Sequence, residues 1–319
     1  MSDELLSDVL TRVRLNGAVV FRVAVRGPWC MQAGVSPATV QSVLPPGTRH
    51  LIAFHIALKG RFLARCAGSP WQTVEQNQVV VIPRGDRHVL GEHKEEAPPA
   101  FERTLGGRPL TELRNVEFET GDAPETSLLC GFLGCDRSAF APLFASLPDA
   151  FVVTLSSQAR LLLDYAVSVT LSDAPGCPGL RTRLAELLFM EALCAHVRQL
   201  PQGTSGWLGG LRHPVVHQAL RHLHQAPAAD WSVDKLAAMS CSSRSFLARE
   251  FKEVIGQPPM QYLAALRMNQ AARHLRDSAL SIDSIAEQVG YASSAAFQRA
   301  FKRCHGETPG RWRQNHALH

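Results

Sequence analysis

Ser243-Arg-Ser-Phe-Leu-Ala-Arg-Glu-Phe-Lys252 returns 50 residues later as Ser293-Ser-Ala-Ala-Phe-Gln-Arg-Ala-Phe-Lys302. Gly256 and Pro259 follow the first copy, and Gly306 and Pro309 follow the second at the same spacing. Ser243/Ser293, Leu247/Phe297, Arg249/Arg299, Phe251/Phe301 and Lys252/Lys302 fall in register. A serine in front, apolar residues four apart and a glycine behind predict two capped basic helices. Two similar basic helices call for a partner that repeats. The major groove of a duplex returns once per turn.

On the N-terminal side, Ser232-Val-Asp-Lys-Leu-Ala-Ala-Met239 reads as a support helix capped by Ser232, and Ser240-Cys-Ser242 as a turn. The recognition helix then runs from Ser243 to about Val254. In the second unit Ser281 opens the support helix, Gly290-Tyr-Ala292 is the turn, and Ser293 caps the recognition helix. The helical spacing is expected to turn Phe246, Leu247 and Phe251 inward, with Phe297 and Phe301 as their counterparts. Arg244, Ser245, Ala248, Arg249 and Lys252 are left on the outer face of the first helix. Ser294, Ala295, Ala296, Gln298, Arg299, Lys302 and Arg303 are the candidates in the second. Met260 to Arg276 holds no Gly or Pro. That stretch predicts a rod of roughly 25 Å, suited to holding two helices about one duplex turn (roughly 34 Å) apart.

Charge supports this reading. The chain has 33 Lys+Arg and 28 Asp+Glu, a net +5. From Trp231 to His319 there are 12 basic and 7 acidic residues, so this segment carries the whole excess. A polyanion partner is expected for it. Hydrophobic residues make up 45%, yet no run reaches the ~18–20 apolar residues that span a bilayer. The start, Met-Ser-Asp-Glu, has no basic region followed by an apolar one, so a cytoplasmic protein with no membrane partner is expected. The eight cysteines include no C-x-x-C pair, and reduced thiols are the expectation. Cys130 and Cys135 are the closest pair and the candidate redox site.

The stretches Trp231-Ser-Val, Ser243 to Lys252, Pro258-Pro-Met-Gln-Tyr-Leu263 through Arg276, and Ser281 to Gly310 together resemble the AraC/XylS-type DNA-binding domain. The resemblance covers about residues 213–315. It implies seven helices with two helix-turn-helix units, promoter DNA as partner, and transcription activation with RNA polymerase as a further partner. It places groove-facing positions at Arg244, Ser245, Ala248 and Arg249, and at Ser294, Ala295, Ala296 and Arg299. Arg249 and Arg299 are the favoured base readers, since arginine pairs bidentately with guanine. Lys252, Lys302 and Arg303 suit phosphate.

The first half reads differently. Val19–Val25, Leu51–Leu58 and Val79–Ile82 are β-branched or aromatic runs punctuated by Gly and Pro, which predicts short strands closing into a barrel or sandwich. Residues 97–126, with Pro98-Pro99 and Gly106-Gly107, read as irregular chain around short strands. Helical periodicity starts near 138, and helices are expected at about 157–172 and 180–198. Leu200-Pro-Gln-Gly-Thr-Ser-Gly206 reads as the start of a linker. Pro83-Arg-Gly-Asp-Arg-His88 resembles the second half of a cupin motif. Residues 5–200 resemble the cupin-like regulatory domain joined to many AraC-type domains, which implies effector binding or dimerisation.

Cupin enzymes carry H-x-H, Glu and His as metal ligands; here His50 and His55 are five apart, on opposite faces of a strand. His55 and His88 are therefore the candidate effector or metal residues, with His93 or Cys66 as a third ligand. No cofactor is expected.

The expectation is an α+β chain. A cupin-like β-barrel with a helical extension (1–200) is followed by a linker (201–212) and an all-α double helix-turn-helix domain (213–319). Its units lie at about 233–255 and 282–305. The chain should act as a promoter-binding regulator, with a small-molecule effector and no enzyme activity. The helices at 157–172 and 180–198 favour a homodimer. Two other readings stay open: a metal-dependent cupin enzyme fused to a DNA-binding domain, and a cysteine-based oxidant sensor.

Overall fold

The computed structural model describes residues 15–34, 44, 48, 50–95, 98–101, 108–122, 125–135, 141–201 and 203–316. They fall into two units. One contains the described residues of 15–135 together with 147–199; the other contains 141–146 and the described residues of 200–316. Gly106 and Gly107, within the stretch read as irregular, lie outside the described residues.

The first unit is built from ten strands: β1 (Leu15–Arg26), β2 (Cys30–Ala33), β3 (His50–Lys59), β4 (Phe62–Cys66), β5 (Gln72–Val74), β6 (Gln78–Ile82), β7 (His88–Gly91), β8 (Asn115–Glu119), β9 (Glu125–Cys135) and β10 (Phe151–Thr154). A six-stranded sheet has the order β10-β6-β3-β9-β1-β8, and a four-stranded sheet the order β2-β7-β4-β5. β1 and β8 pair in parallel; the other pairs are antiparallel. β3 is buried on both faces, which is why it reads as one apolar run rather than an alternation. Ala53 and Ala57 join Phe21, Leu128 and Phe132 in the core between the sheets. Ile52, Phe54 and Ile56 on the opposite face are also fully buried. Helix α2 (Ser157–Leu171) and helix α3 (Cys177–Gln199) pack together, and α3 lies on β1, β6, β9 and β10.

Gly85 shows why the P-x-G-x-x-H turn has its glycine. Its φ is +63°, and a Cβ there would lie 2.7 Å from Leu51 Cβ. The tight turn sends the chain into β7 with His88 at its first position.

The second unit is helical. Helix α1 (Ala141–Ser146) belongs to it although it lies between β9 and β10 in the chain. α4 (Gly206–Arg212) and α5 (Pro214–Gln225) precede the first helix-turn-helix, α6 (Val233–Met239) and α7 (Arg244–Ile255). α8 (Pro259–Asp277) leads to the second, α9 (Ile282–Gln288) and α10 (Ser294–His305), and α11 (Pro309–His316) follows. Among the described residues seven helices follow from Pro214 onward, the number the resemblance implies.

The stretch 201–212, read as a linker, is instead packed structure in the helical unit. It holds α4, whose Trp207, Leu208 and Leu211 are buried. Its glycines sit inside a helix at a crowded contact: a Cβ on Gly210 would meet Ile255 and Leu220 at 2.8 Å. Ser146 at the end of α1 accepts a hydrogen bond from the Trp207 backbone N–H at 2.8 Å.

α8 spans 19 residues, about 28 Å of helix at ~1.5 Å per residue. Its early part buries Tyr262 and Leu263, with the Tyr262 ring 5.7 Å from that of Phe251. Its later part gives Met268, Ala271, Ala272 and Leu275 to the core that holds Phe297 and Phe301. One continuous helix thus supports both units, each through its own apolar face.

Candidate nucleic-acid interface

Serine caps open all four helices of the two motifs. The Ser232, Ser243, Ser281 and Ser293 hydroxyls accept from the backbone N–H three residues on, at 3.1–3.3 Å. Gly256 and Gly306 end the recognition helices in the left-handed region, at φ +86° and +79°. The turns differ in length. Ser242 N–H donates to Ala237 O in the first, Tyr291 N–H to Ala286 O in the second, so the second turn has one residue more before its cap. Cys241 takes φ +48° where Gly290 takes φ +82°.

Leu247, Phe251, Phe297 and Phe301 are wholly buried, as the spacing implies. Phe246 is not. It is 40% exposed, which corrects its inward placement. Leu247 and Phe251, one helical turn apart, already face the core, and residue 246 lies about 100° around the helix from Leu247. Arg244, Ser245, Arg249 and Lys252 are exposed, and Ala248 is half-buried. In α10, Ala295, Arg299, Lys302 and Arg303 are exposed, while Ser294 and Ala296 are half-buried.

The two helices hold their cations differently. Arg244 Nη1 pairs with Asp234 Oδ2 at 3.0 Å. Arg249 donates from Nε and Nη2 to Glu250 Oε1 at 3.1 and 2.8 Å, and its guanidinium lies 5.2 Å from the Phe246 ring centroid. Those hydrogen bonds hold the Glu250 carboxyl below its ordinary range. His213 contacts the other Glu250 oxygen at 3.2 Å. Its Nδ1 accepts from Val216 N–H as the cap of α5, so Nε2 carries the proton given to Glu250. In α10, Arg299, Lys302 and Arg303 make no ion pair among the described residues. Periodicity alone singles out neither Glu250 nor His213, and it gives Phe246 the wrong side of the helix. Ala296 and Ala300, which break the repeat opposite Phe246 and Glu250, are the signal in the sequence that marks the difference.

In the barrel, His55 lies opposite Cys130 and Val80 across its neighbouring strands, and His88 opposite Cys66 and Ala33. The two rings meet, Nε2 to Nε2, at 2.8 Å. His88 Nδ1 lies 2.7 Å from the Asp86 carbonyl, which can only accept, so His88 is protonated at Nδ1 and His55 donates from Nε2. Burial lowers the ring pKa of His88 to about 4, against the opposing Asp86 carbonyl, and burial and then His88 lower that of His55. His50 instead meets Pro83 O at 2.7 Å.

The expected third ligands are engaged elsewhere: His93 faces Glu95 at 3.6 Å, and the Cys66 thiol points at Asp149 O. Among the described residues no three His, Cys, Asp or Glu converge as metal ligands. Two nitrogens hydrogen-bonded to each other, with no third ligand beside them among the described residues, do not fit a cupin metal site. Cys130 and Cys135 are both buried. Five residues apart on β9, at ~3.3 Å per residue, they are too distant to join, and burial pushes the Cys130 thiol far up. This corrects the redox pair.

His55 also lines a cavity of ≈ 20 Å³ with Phe21, Trp29, Phe101, Cys130 and Phe132. Its Nδ1 and the Trp29 Nε1 are buried without a hydrogen-bond partner among the described residues. No described helix is long and apolar enough to cross a membrane.

Two helix-turn-helix units on one helix, with arginine and lysine along both recognition helices, define a DNA-binding regulator. Similarity to known proteins agrees. A family model described as a cupin matches residues 4–198, and one described as a helix-turn-helix domain matches 236–315. A relative described as an AraC-like transcription regulator, from Streptomyces lividans, is 44% identical over 214 residues, 66% of this chain and 70% of that protein. The transcriptional regulator AlkR of Acinetobacter baylyi is 28% identical over 323 residues, 97% of this chain and 98% of its own. Among solved structures, the DNA-binding domain of AdpA in complex with a target DNA is 29% identical, covering 32% of this chain and 91% of that one, at a TM-score of 0.31. The chain belongs to the AraC family of transcription regulators, with an N-terminal cupin domain. Its relatives are regulators, not enzymes.

Proposed function

We propose that this regulator is a promoter-binding activator controlled by a signal received in the cupin domain, and that it has no enzyme activity. The observation that carries the DNA reading is the matched pair of exposed arginines, Arg249 and Arg299, on capped helices supported by one helix. Arg249 and Arg299 contact bases. Arg244, Ser245, Ala248, Ser294, Ala295 and Ala296 approach the groove, and Lys252, Lys302 and Arg303 take phosphate. RNA polymerase is the further partner that activation requires.

The signal is a small molecule taken up beside His55 and His88. The cavity there has room for about one water, so an effector enters only by moving the aromatic side chains that line it. Binding is thereby coupled to a change in the barrel. The sensing domain lies within residues 1–200 and the DNA-binding domain includes 213–319, with α4 packed as part of the helical unit, in a cytoplasmic homodimer. Leu161 at 74% and Tyr165 at 51% exposure on α2, with Leu187 at 47% on α3, supply an apolar face for a second copy.

Mobility-shift titration of the full chain against DNA upstream of its own gene neighbourhood, beside a scrambled duplex of equal length, tests the DNA reading. Preference for the native duplex is expected, and equal binding to both would overturn it. A reporter fused to the bound promoter distinguishes activation from repression.

A further inference from the structure

We infer that Glu250, with Phe246 as a second wall, positions Arg249 and so sets the base selectivity of the first recognition helix. This rests on the reading of Arg249 as a base-contacting residue. A lone arginine on a helix surface samples many rotamers, and fixing one costs entropy at the moment of binding. Here that cost is met in the free protein. Glu250 Oε1 accepts from Nε and Nη2 at 3.1 and 2.8 Å, and the Phe246 ring lies 5.2 Å from the guanidinium carbon. Glu250 is itself held: its side chain is 18% exposed, and its second oxygen accepts from His213 at the cap of α5.

The atoms used matter. A guanidinium has five N–H donors. The carboxylate takes the Nε side of the fork. Both Nη1 hydrogens and the second Nη2 hydrogen stay free, and this outer edge can meet guanine O6 and N7 together. The paired carboxylate also offsets the arginine charge. Attraction to phosphate is the same at every sequence, so weakening it lowers binding to wrong DNA while the base-reading edge is kept.

The second copy lacks both walls. Ala296 and Ala300 stand where the first has Phe246 and Glu250, and Arg299 makes no ion pair among the described residues. The duplication has therefore diverged into a helix whose arginine is set before binding and a helix whose arginine is ordered only on binding. His213, Glu250, Arg249 and Phe246 form the selecting device.

Selection of duplexes from a random-sequence library by the full chain, with sequencing of the bound pool, reads this directly. Wild type should enrich a motif with one base pair that Arg249→Ala erases. Glu250→Ala should reduce the preference at that same position by about tenfold, the scale of a bidentate pair, and leave the other positions in place. Phe246→Ala should act in the same direction. Glu250→Gln keeps an acceptor for the Arg249 Nε–H without the charge. It should retain the preference and bind scrambled duplex more tightly than wild type. A Glu250→Ala motif identical to wild type, or one weakened equally at every position, overturns the inference and leaves the DNA reading intact. Failure of wild type to enrich any sequence overturns the DNA reading and this inference together.

Discussion

Arg299 meets solvent without a carboxylate beside it, whereas Arg249 is tied to Glu250, so their loss should not look alike. Arg249→Ala should weaken binding to the selected site by about 1–3 kcal/mol with little change on scrambled DNA. Arg299→Ala should also weaken the selected site, by less than Arg249→Ala because its guanidinium is ordered only on binding, and should in addition lower scrambled binding and reduce the salt slope by about 1. Titrations at several salt concentrations separate the two. Backbone geometry at a single residue makes a second prediction. Gly290 is left-handed, and a Cβ there would lie 2.5 Å from Ala228 O. Gly290→Ala should cost at least about 1–2 kcal/mol of stability in urea unfolding. Cys241, already accommodated at φ +48°, tolerates the same region in the shorter turn.

Each recognition helix carries its own start and stop in the chain. Ser243→Ala and Ser293→Ala should each cost about 1 kcal/mol, read as a lower urea midpoint with unchanged slope. These signals are why the helix-turn-helix units, the rod between them and the caps at Ser232, Ser243 and Ser293 are legible in the amino-acid sequence. A serine hydroxyl aimed at an N–H and a glycine at positive φ are local devices, and local devices are written locally. What is not legible depends on neighbours distant in sequence. Phe246 is apolar and lies beside Leu247, so position alone assigns it inward; only the packing of α7 shows that two positions fill that core. α4 is hidden by Gly209 and Gly210, which in isolation punctuate chain, while Gly210 here allows Ile255 and Leu220 to approach. In the barrel, the odd spacing of His50 and His55 separates them correctly. It does not reveal that His55 and His88 hydrogen-bond to each other and leave no pair of open nitrogens for a metal.

For the chain as a whole, the buried histidines make stability depend on pH. An unfolded histidine titrates near 6.5, while His88 in the barrel is held at about 4 and His55 well below its ordinary value. Below about 6.5 the unfolded chain binds protons that the folded barrel refuses. Stability is therefore complete above that pH and lost as pH falls toward 4, by up to about 1.4 kcal/mol per pH unit for each histidine. Urea melts at pH 7.5 and pH 5 should show a lower midpoint at pH 5, and His88→Gln should reduce that difference. A Leu161→Glu variant should sediment as a monomer where wild type sediments as a dimer.

The path of the backbone sets how the molecule comes apart. α1 is drawn from between two barrel strands yet docks on α4, so the polypeptide leaves the sheet unit, returns to it and then leaves again. Nicking by a protease at exposed Pro201 or Gly203 would sever one of the three covalent ties between the units among the described residues. The two halves should still elute as a single species, because α1 buries Leu143 and Phe144 completely and its Ser146 holds the Trp207 N–H, and they should separate only in denaturant.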